Sequence, residues 1–279
     1  MLSQPPHAST ASTTLQQWAG GKMLSEIQGN VGIITFNQPE KHNAVSLEMW
    51  EALGDILSGF RVDEAVRVVV LRGAGEKAFV SGADISEFDQ TRSSYDVEKE
   101  HKARIANGRY AVAEFPKPTI ACIRGYCLGG GLGIALQADL RIAAVGSQLG
   151  IPAARLGIAY GFDDLRTLVS LVGPANARMI MFTAERIGAE EALRIGLVNR
   201  VVGAEDLWPH VLALAERIAE NAPLSVAAAK SGIAQALRDP ADRNLAEVEA
   251  FDRLCMDSLD YREGRTAFME KRKPRFVGR

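Results

Sequence analysis

Thr119-Ile120-Ala121-Cys122-Ile123-Arg124-Gly125-Tyr126-Cys127-Leu128-Gly129-Gly130-Gly131-Leu132-Gly133 decides how the rest of the chain is read. Its first five residues form a short apolar run of the kind buried on both faces of a parallel sheet. From Leu128 to Gln137 the pattern turns helical, and the helix opens on glycines. Asp139–Ala144 then reads as another strand. Strand, glycine run, helix and strand in succession imply an α/β fold. A helix that opens on glycines offers free N–H groups and the positive end of its dipole to a ligand. Taken alone, the triple glycine fits tight helix–sheet packing as well as it fits an anion-facing turn. It lacks the Lys-Ser/Thr ending of a P-loop and the spacing of a dinucleotide fingerprint.

The same alternation extends outward. Met23–Gln28 and Val31–Phe36 flank the turn dipeptide Gly29-Asn30, which predicts a β-hairpin. Ser46 stands at the cap position of a helix on which Trp50, Leu53, Leu57 and Phe60 recur at helical spacing. Val66–Leu71 is a β-branched run expected of a strand covered on both faces. A charged helical stretch over 94–114 ends at Pro116 and Pro118. A second glycine-containing segment, Phe79-Val80-Ser81-Gly82-Ala83-Asp84-Ile85, follows the loop Gly73-Ala74-Gly75. Beyond residue 203 the pattern is helical throughout. Leu207, Val211, Leu214 and Ile218 share one face, and Pro223 opens another helix at its first turn. The chain is therefore expected to comprise a disordered tail over 1–21, an α/β core over 22–203 and a helical region over 204–279.

Bulk properties exclude several function classes. A chain of 279 residues buries an ample core without staples. The net charge of −2 gives no general attraction to nucleic acid or membrane. Three cysteines do not form a disulfide framework, and four scattered histidines give no metal-ligand spacing. The Ser-, Thr- and Gln-rich first 21 residues lack the apolar core of a signal peptide and the arginines of a transit segment. No apolar run reaches the length of a membrane span. A cytoplasmic protein is expected, with no metal and no membrane partner.

Several segments, taken together and in order, resemble the crotonase (enoyl-CoA hydratase/isomerase) superfamily. They are Asn37–Ala44 (NQPEKHNA), Ala78–Ile85 (AFVSGADI), Lys117–Ala121 (KPTIA), Gly125–Gly131 (GYCLGGG) and Ala138–Arg141 (ADLR). Gly188–Ala192 (GAEEA), Gly196–Val198 (GLV) and Ala267–Lys273 (AFMEKRK) continue the series to the C-terminus. The resemblance implies a spiral of ββα units with a helical C-terminal trimerisation region, and a homotrimer or dimer of trimers. It implies an enzyme acting on acyl-CoA thioesters, with no cofactor beyond the coenzyme A of the substrate. It places an oxyanion hole at the N–H groups of Ala83 and Gly130. Ala83, Asp84, Ile85 and Ser86 would line the CoA and thioester channel, with Asn43 and Ala44 near the adenine end. Phe268 and Lys271 would reach a neighbouring subunit's CoA. Two preorganised donors suit an enolate, because losing one oxyanion donor costs roughly 10²–10³ in rate.

The resemblance also implies two glutamates that serve hydration, and here those positions are Gly133 and Ala153. Double-bond isomerisation, decarboxylation or atypical hydration are then expected in place of ordinary hydration, with a non-catalytic CoA-binding or scaffold protein as the alternative. The replacement acid or base is sought in Ile158–Arg166, where Asp163 and Asp164 are candidates. Both also suit the capping of a helix. Tyr160 reads as a proton donor or as packing. Cys127, Glu114 and Arg155 read more simply as a core thiol and solvated charges. The basic run Lys271–Arg275 reads as a solvated helix end, so a nucleic-acid partner is not expected.

Overall fold

The computed structural model describes residues 14–84 and 95–279. The chain begins with β1 (Gln16–Trp18), β2 (Met23–Gln28) and β3 (Val31–Phe36), then α1 (Leu47–Val62), β4 (Val68–Gly73) and β5 (Ala78–Val80). Helix α2 (Tyr95–Ala111) leads to β6 (Thr119–Ile123), β7 (Tyr126–Leu128), α3 (Gly130–Gln137), β8 (Leu140–Ala144) and β9 (Gln148–Gly150). The long α4 (Phe162–Thr183) precedes β10 (Ile187–Gly188), α5 (Ala189–Arg194) and β11 (Arg200–Val202). Four helices complete the chain: α6 (Leu207–Ala219), α7 (Pro223–Ala236), α8 (Leu245–Asp257) and α9 (Leu259–Met269).

The strands form two sheets. The larger has the order β1-β2-β3-β4-β6-β8-β11, and the smaller β10-β9-β7-β5. The hairpin β2–β3 is antiparallel, and β3, β4, β6, β8 and β11 are parallel. Val31–Phe36 and Thr119–Ile123 are buried at every position, as parallel strands covered on both faces must be. One face packs with α1 in a core containing Met49, Leu53, Leu57, Val69 and Leu71. The other is covered by α6, whose Leu207, Val211 and Ala215 meet Val31, Val68, Ile120 and Ile142. Helix α6 thus supplies one layer of the sheet's core, and packing runs continuously across residues 203 and 204.

Two expectations need correction. Part of the expected tail belongs to the fold: Gln16–Trp18 pairs antiparallel with Met23–Ser25, and Trp18 Nε1 donates to Ser25 Oγ at 2.9 Å. The strand gains its order from this pairing, which its Ser-, Thr- and Gln-rich neighbourhood does not reveal. Residues 1–13 lie outside the described residues. Ser46 occupies the N-cap of α1 but makes no cap bond, and its hydroxyl is buried without a partner among the described residues.

The smaller sheet sets up the site. Strands β5 and β7 are parallel neighbours, so their C-terminal ends lie side by side. Ala83 follows the first and Gly130 follows the second. Chain direction in one small sheet therefore unites two glycine-containing segments far apart in sequence.

Candidate functional site

The loop before α1 fixes the Ala83 side. His42 and Asn43 adopt left-handed backbone conformations, which asparagine tolerates better than most side-chain-bearing residues. The Asn43 side chain is buried and wholly spent on the backbone. It accepts from Gln38 N–H at 2.9 Å and donates to Ala74 O at 3.0 Å and Ala78 O at 2.8 Å. So anchored, the loop grips the segment after β5. Ser81 N donates to His42 O, Val45 N to Gly82 O, and Asp84 N to Val45 O, at 3.1, 2.8 and 3.0 Å. Lys41 Nζ bonds the buried Asp84 carboxylate at 2.7 Å. Ala44 is buried beside this loop.

On the other side, Gly129 caps α3 with a φ of 54°, and its N–H donates to Gly150 O at 2.8 Å. Gly131 packs against β5 so closely that a Cβ there would stand 2.1 Å from Val80 O. Between them, a Cβ on Gly130 would lie 3.7 Å from the Ala83 nitrogen. The triple glycine thus serves both purposes left open by the sequence: tight packing at Gly131 and an open approach at Gly130. Among the described residues, neither Ala83 N–H nor Gly130 N–H donates to a protein acceptor. The first-turn N–H groups of a helix have no partner within it. Both residues line a cavity of 350 Å³ together with Gly133, Gln137, Ala153, Tyr160, Arg109 and Asp164.

The two aspartates separate by one residue on α4. Asp163 is exposed, with Arg166 Nη2 3.7 Å from its carboxylate. Asp164 is buried, lines the cavity and is ion-paired to Arg109. Neither caps the helix with its side chain, and Gly161 holds the cap position. Burial alone would lower the Arg109 pKa, but the charge and hydrogen bond of Asp164 outweigh it and raise it. Among the described lining residues, Asp164 is the one carboxylate.

Tyr160 fills the space opposite α3. Its hydroxyl lies 3.2 Å from where a Cβ on Gly133 would stand, and it is buried without a hydrogen-bond partner among the described residues. Burial first, and then the negative charge of Asp164, push its pKa above the ordinary tyrosine value. The phenol is neutral at physiological pH and available as a proton donor.

Sequence reasoning missed Arg109 and Gln137. Arg109 follows Ile105 by four residues and precedes Val112 by three, so it stands as a charge on a stripe that is otherwise buried. That mismatch was its available signal. Helix α2 approaches α1 at Gly108, where a Cβ would fall 1.8 Å from Trp50 O, and this close crossing sets Arg109 over the cavity. Gln137 follows Gly133 by one helical turn and faces the same way.

The other candidates fall elsewhere. Ile85 and Ser86 lie outside the described residues. Phe268 and Lys271 are exposed near the end of α9. Cys127 is fully buried, and burial raises its pKa; it raises that of Cys122 to about 12. Both thiols are unreactive core groups. Glu114 and Arg155 are exposed. In the basic run, Arg272 pairs with Glu263 and Glu270, and Lys273 with Glu220, each at 2.6 Å. Among the described residues, no cluster of three or more potential metal ligands occurs, and no helix is long and apolar enough to cross a membrane.

Residues 26–279 match the family model described as enoyl-CoA hydratase/isomerase. The chain belongs to the enoyl-CoA hydratase/isomerase family. The match agrees with the crotonase resemblance and with the α/β fold and parallel sheet described above, and members of this family act on acyl-CoA substrates. Among its relatives is the short-chain-enoyl-CoA hydratase of Clostridium acetobutylicum. The two are 38% identical over 253 residues, covering 90% of this chain and 95% of the relative. The crotonyl-CoA hydratase of Syntrophomonas wolfei is 36% identical, covering 92% and 98%. A crystal structure of an enoyl-CoA hydratase/carnithine racemase from Magnetospirillum magneticum superposes with a TM-score of 0.89 at 35% identity, covering 96% of this chain and 97% of that one.

Proposed function

We propose that this chain carries an acyl-CoA thioester through its enolate, with the thioester oxygen held between the N–H groups of Ala83 and Gly130. One observation carries the reading: two N–H groups without protein acceptors among the described residues meet at the wall of a single cavity. Donors fixed in advance stabilise developing oxyanion charge without reorganising as it forms.

The side chains opposite favour one class of reaction. Relatives are named as hydratases, but the two positions that the resemblance assigns to hydration glutamates are Gly133 and Ala153, and both line the cavity. Tyr160 supplies a neutral acid, while the Asp164 carboxylate is engaged in an ion pair with Arg109. A site with an acid and, among the described lining residues, no unpaired carboxylate suits an enolate formed without proton abstraction. Decarboxylation of a malonyl-type thioester meets that condition. The bond from the α-carbon to the carboxylate breaks, carbon dioxide leaves, and the electron pair passes into the enolate. Tyr160 then protonates the α-carbon and is reprotonated from solvent. The second reading is a double-bond shift with Asp164 as base, favoured by its place in the cavity wall.

Incubating the protein with malonyl-CoA, methylmalonyl-CoA, and 2- and 3-enoyl-CoA esters tests both readings. Carbon dioxide release that falls in Tyr160→Phe supports the first. A double-bond shift abolished by Asp164→Asn supports the second. CoA binding without turnover of any ester would leave the non-catalytic alternative.

The same reading takes the chain as a homotrimer, alone or paired, with Phe268 and Lys271 reaching a neighbour's CoA. Exposed Met179, Phe182, Phe268 and Met269 support self-association. Mass measurement in solution tests it.

A further inference from the structure

The cavity contains two buried polar atoms, of which the enolate reading employs only the Tyr160 hydroxyl, and that only for its proton. They are Gln137 Oε1 and the Tyr160 hydroxyl, each without a hydrogen-bond partner among the described residues. Both residues line the same cavity. Buried polar groups are satisfied in the great majority of cases, so two orphans facing one cavity point to a missing partner. Gln137 Oε1 makes no hydrogen bond to the fold among the described residues. Its neighbours Leu136 and Ala138 supply the local core contacts.

The helix gives the orphans a place along the substrate. Gly130, Gly133 and Gln137 follow one another at positions i, i+3 and i+7 of α3, all facing the cavity. A helix rises 1.5 Å per residue, so Gly133 lies about 4.5 Å and Gln137 about 10 Å beyond the N–H of Gly130. Side chains lean toward the helix N-terminus, so the Gln137 amide lies on the Gly133 side of its own Cα, and the Tyr160 hydroxyl stands 3.2 Å from a Cβ placed on Gly133. An acyl chain whose carbonyl rests at Ala83 and Gly130 would present its carbons beyond Cβ to this pair. Gln137 Oε1 requires a donor, and a phenol both donates and accepts. A hydroxyl group can serve both partners, whereas an alkyl chain serves neither. The cation nearby, Arg109, is already paired with Asp164, which removes the case for a carboxylate at Cγ, beyond the α-carboxylate of a malonyl-type ester.

We propose that Gln137 and Tyr160 form a specificity subsite for a hydroxyl group on the acyl chain at Cγ. The proposal rests on the placement of the thioester at Ala83 and Gly130, and its test separates the two. Calorimetric titration with hexanoyl-CoA, 3-hydroxyhexanoyl-CoA and 4-hydroxyhexanoyl-CoA reads binding without turnover. The 4-hydroxy ester is expected to bind at least roughly tenfold tighter than hexanoyl-CoA, because a site built to hydrogen-bond a hydroxyl discriminates against its absence. In Gln137→Met the preference should shrink to about twofold or less, with hexanoyl-CoA binding retained. Equal binding of all three esters, or a preference untouched by Gln137→Met, overturns the subsite while leaving the thioester site standing. Tightest binding of the 3-hydroxy ester overturns the assignment to Cγ. Failure of every ester, where Gln137→Met is folded by circular dichroism, overturns the thioester placement and the subsite with it.

Discussion

One wall of the cavity is backbone and the other is side chain. On the first, strand direction, a buried asparagine and a glycine run place Ala83 N–H beside Gly130 N–H. On the second, Tyr160, Asp164, Arg109 and Gln137 converge from three helices and a loop. The backbone wall is the same whatever the reaction, because every thioester enolate puts its charge on the same oxygen. The side-chain wall decides which bond is made or broken. A family can therefore keep the first while exchanging the second.

The largest effect is expected where the backbone wall is blocked. Gly130→Ala puts a methyl group 3.7 Å from the Ala83 nitrogen, in the space the oxyanion needs. We expect kcat to fall by about 10²–10³ while the thermal midpoint hardly moves. Gly131→Ala sharpens the contrast, because its Cβ meets Val80 O at 2.1 Å. That variant should lose stability first, seen as a lowered thermal midpoint. Equal behaviour of the two would remove the distinction between the donor glycine and the packing glycine.

On the side-chain wall, Tyr160→Phe is expected to lower kcat for malonyl-CoA about 100-fold with KM nearly unchanged, because that ester carries no acyl-chain hydroxyl for Tyr160 to hold. A parallel rise in KM would mean that the hydroxyl holds the ground state and not the proton in flight. Asp164→Asn removes the charge that offsets buried Arg109. Because Arg109 keeps about a quarter of its side chain exposed at 26%, we expect a loss of about 1–3 kcal/mol by urea unfolding. Arg109→Met combined with Asp164→Leu should recover most of it, since an apolar pair leaves no charge uncompensated.

How legible these features were follows from the same division. The hairpin Met23–Phe36 and the parallel strands are written in apolar runs and turn residues, and the structure has them. The strands Ala78–Val80, Tyr126–Leu128 and Gln148–Gly150 have three residues each and show no periodicity. They form the sheet that aligns the donors, so the site's frame was visible only through the glycines beside it. Asp163 and Asp164 could not be told apart in sequence. Adjacent helical residues differ by about 100° in direction, and only packing decides which faces the cavity. Asn43 illustrates the opposite case. Its segment carries the resemblance, and the structure shows its side chain consumed in holding the loop that grips Ala83.

The smallest effect is an absence of one. Burial and the charge of Asp164 hold Tyr160 above its ordinary pKa of 10.0. A donor must be protonated, so a raised pKa keeps it active as pH rises and inactivates it only above that value. The kcat profile should therefore show no alkaline limb from Tyr160 between roughly pH 6 and pH 9. A limb in that window that disappears in Tyr160→Phe would show the phenol titrating there, against its burial.

The central claim is that the thioester oxygen sits between Ala83 N–H and Gly130 N–H. Infrared difference spectroscopy of bound hexanoyl-CoA, labelled with ¹³C at the thioester carbonyl, addresses it directly. Two hydrogen bonds polarise the carbonyl, so its stretch should move to lower frequency on binding and return toward the solution value in Gly130→Ala. A stretch at or above the solution frequency in the unmodified protein, with the ester bound, would contradict the claim.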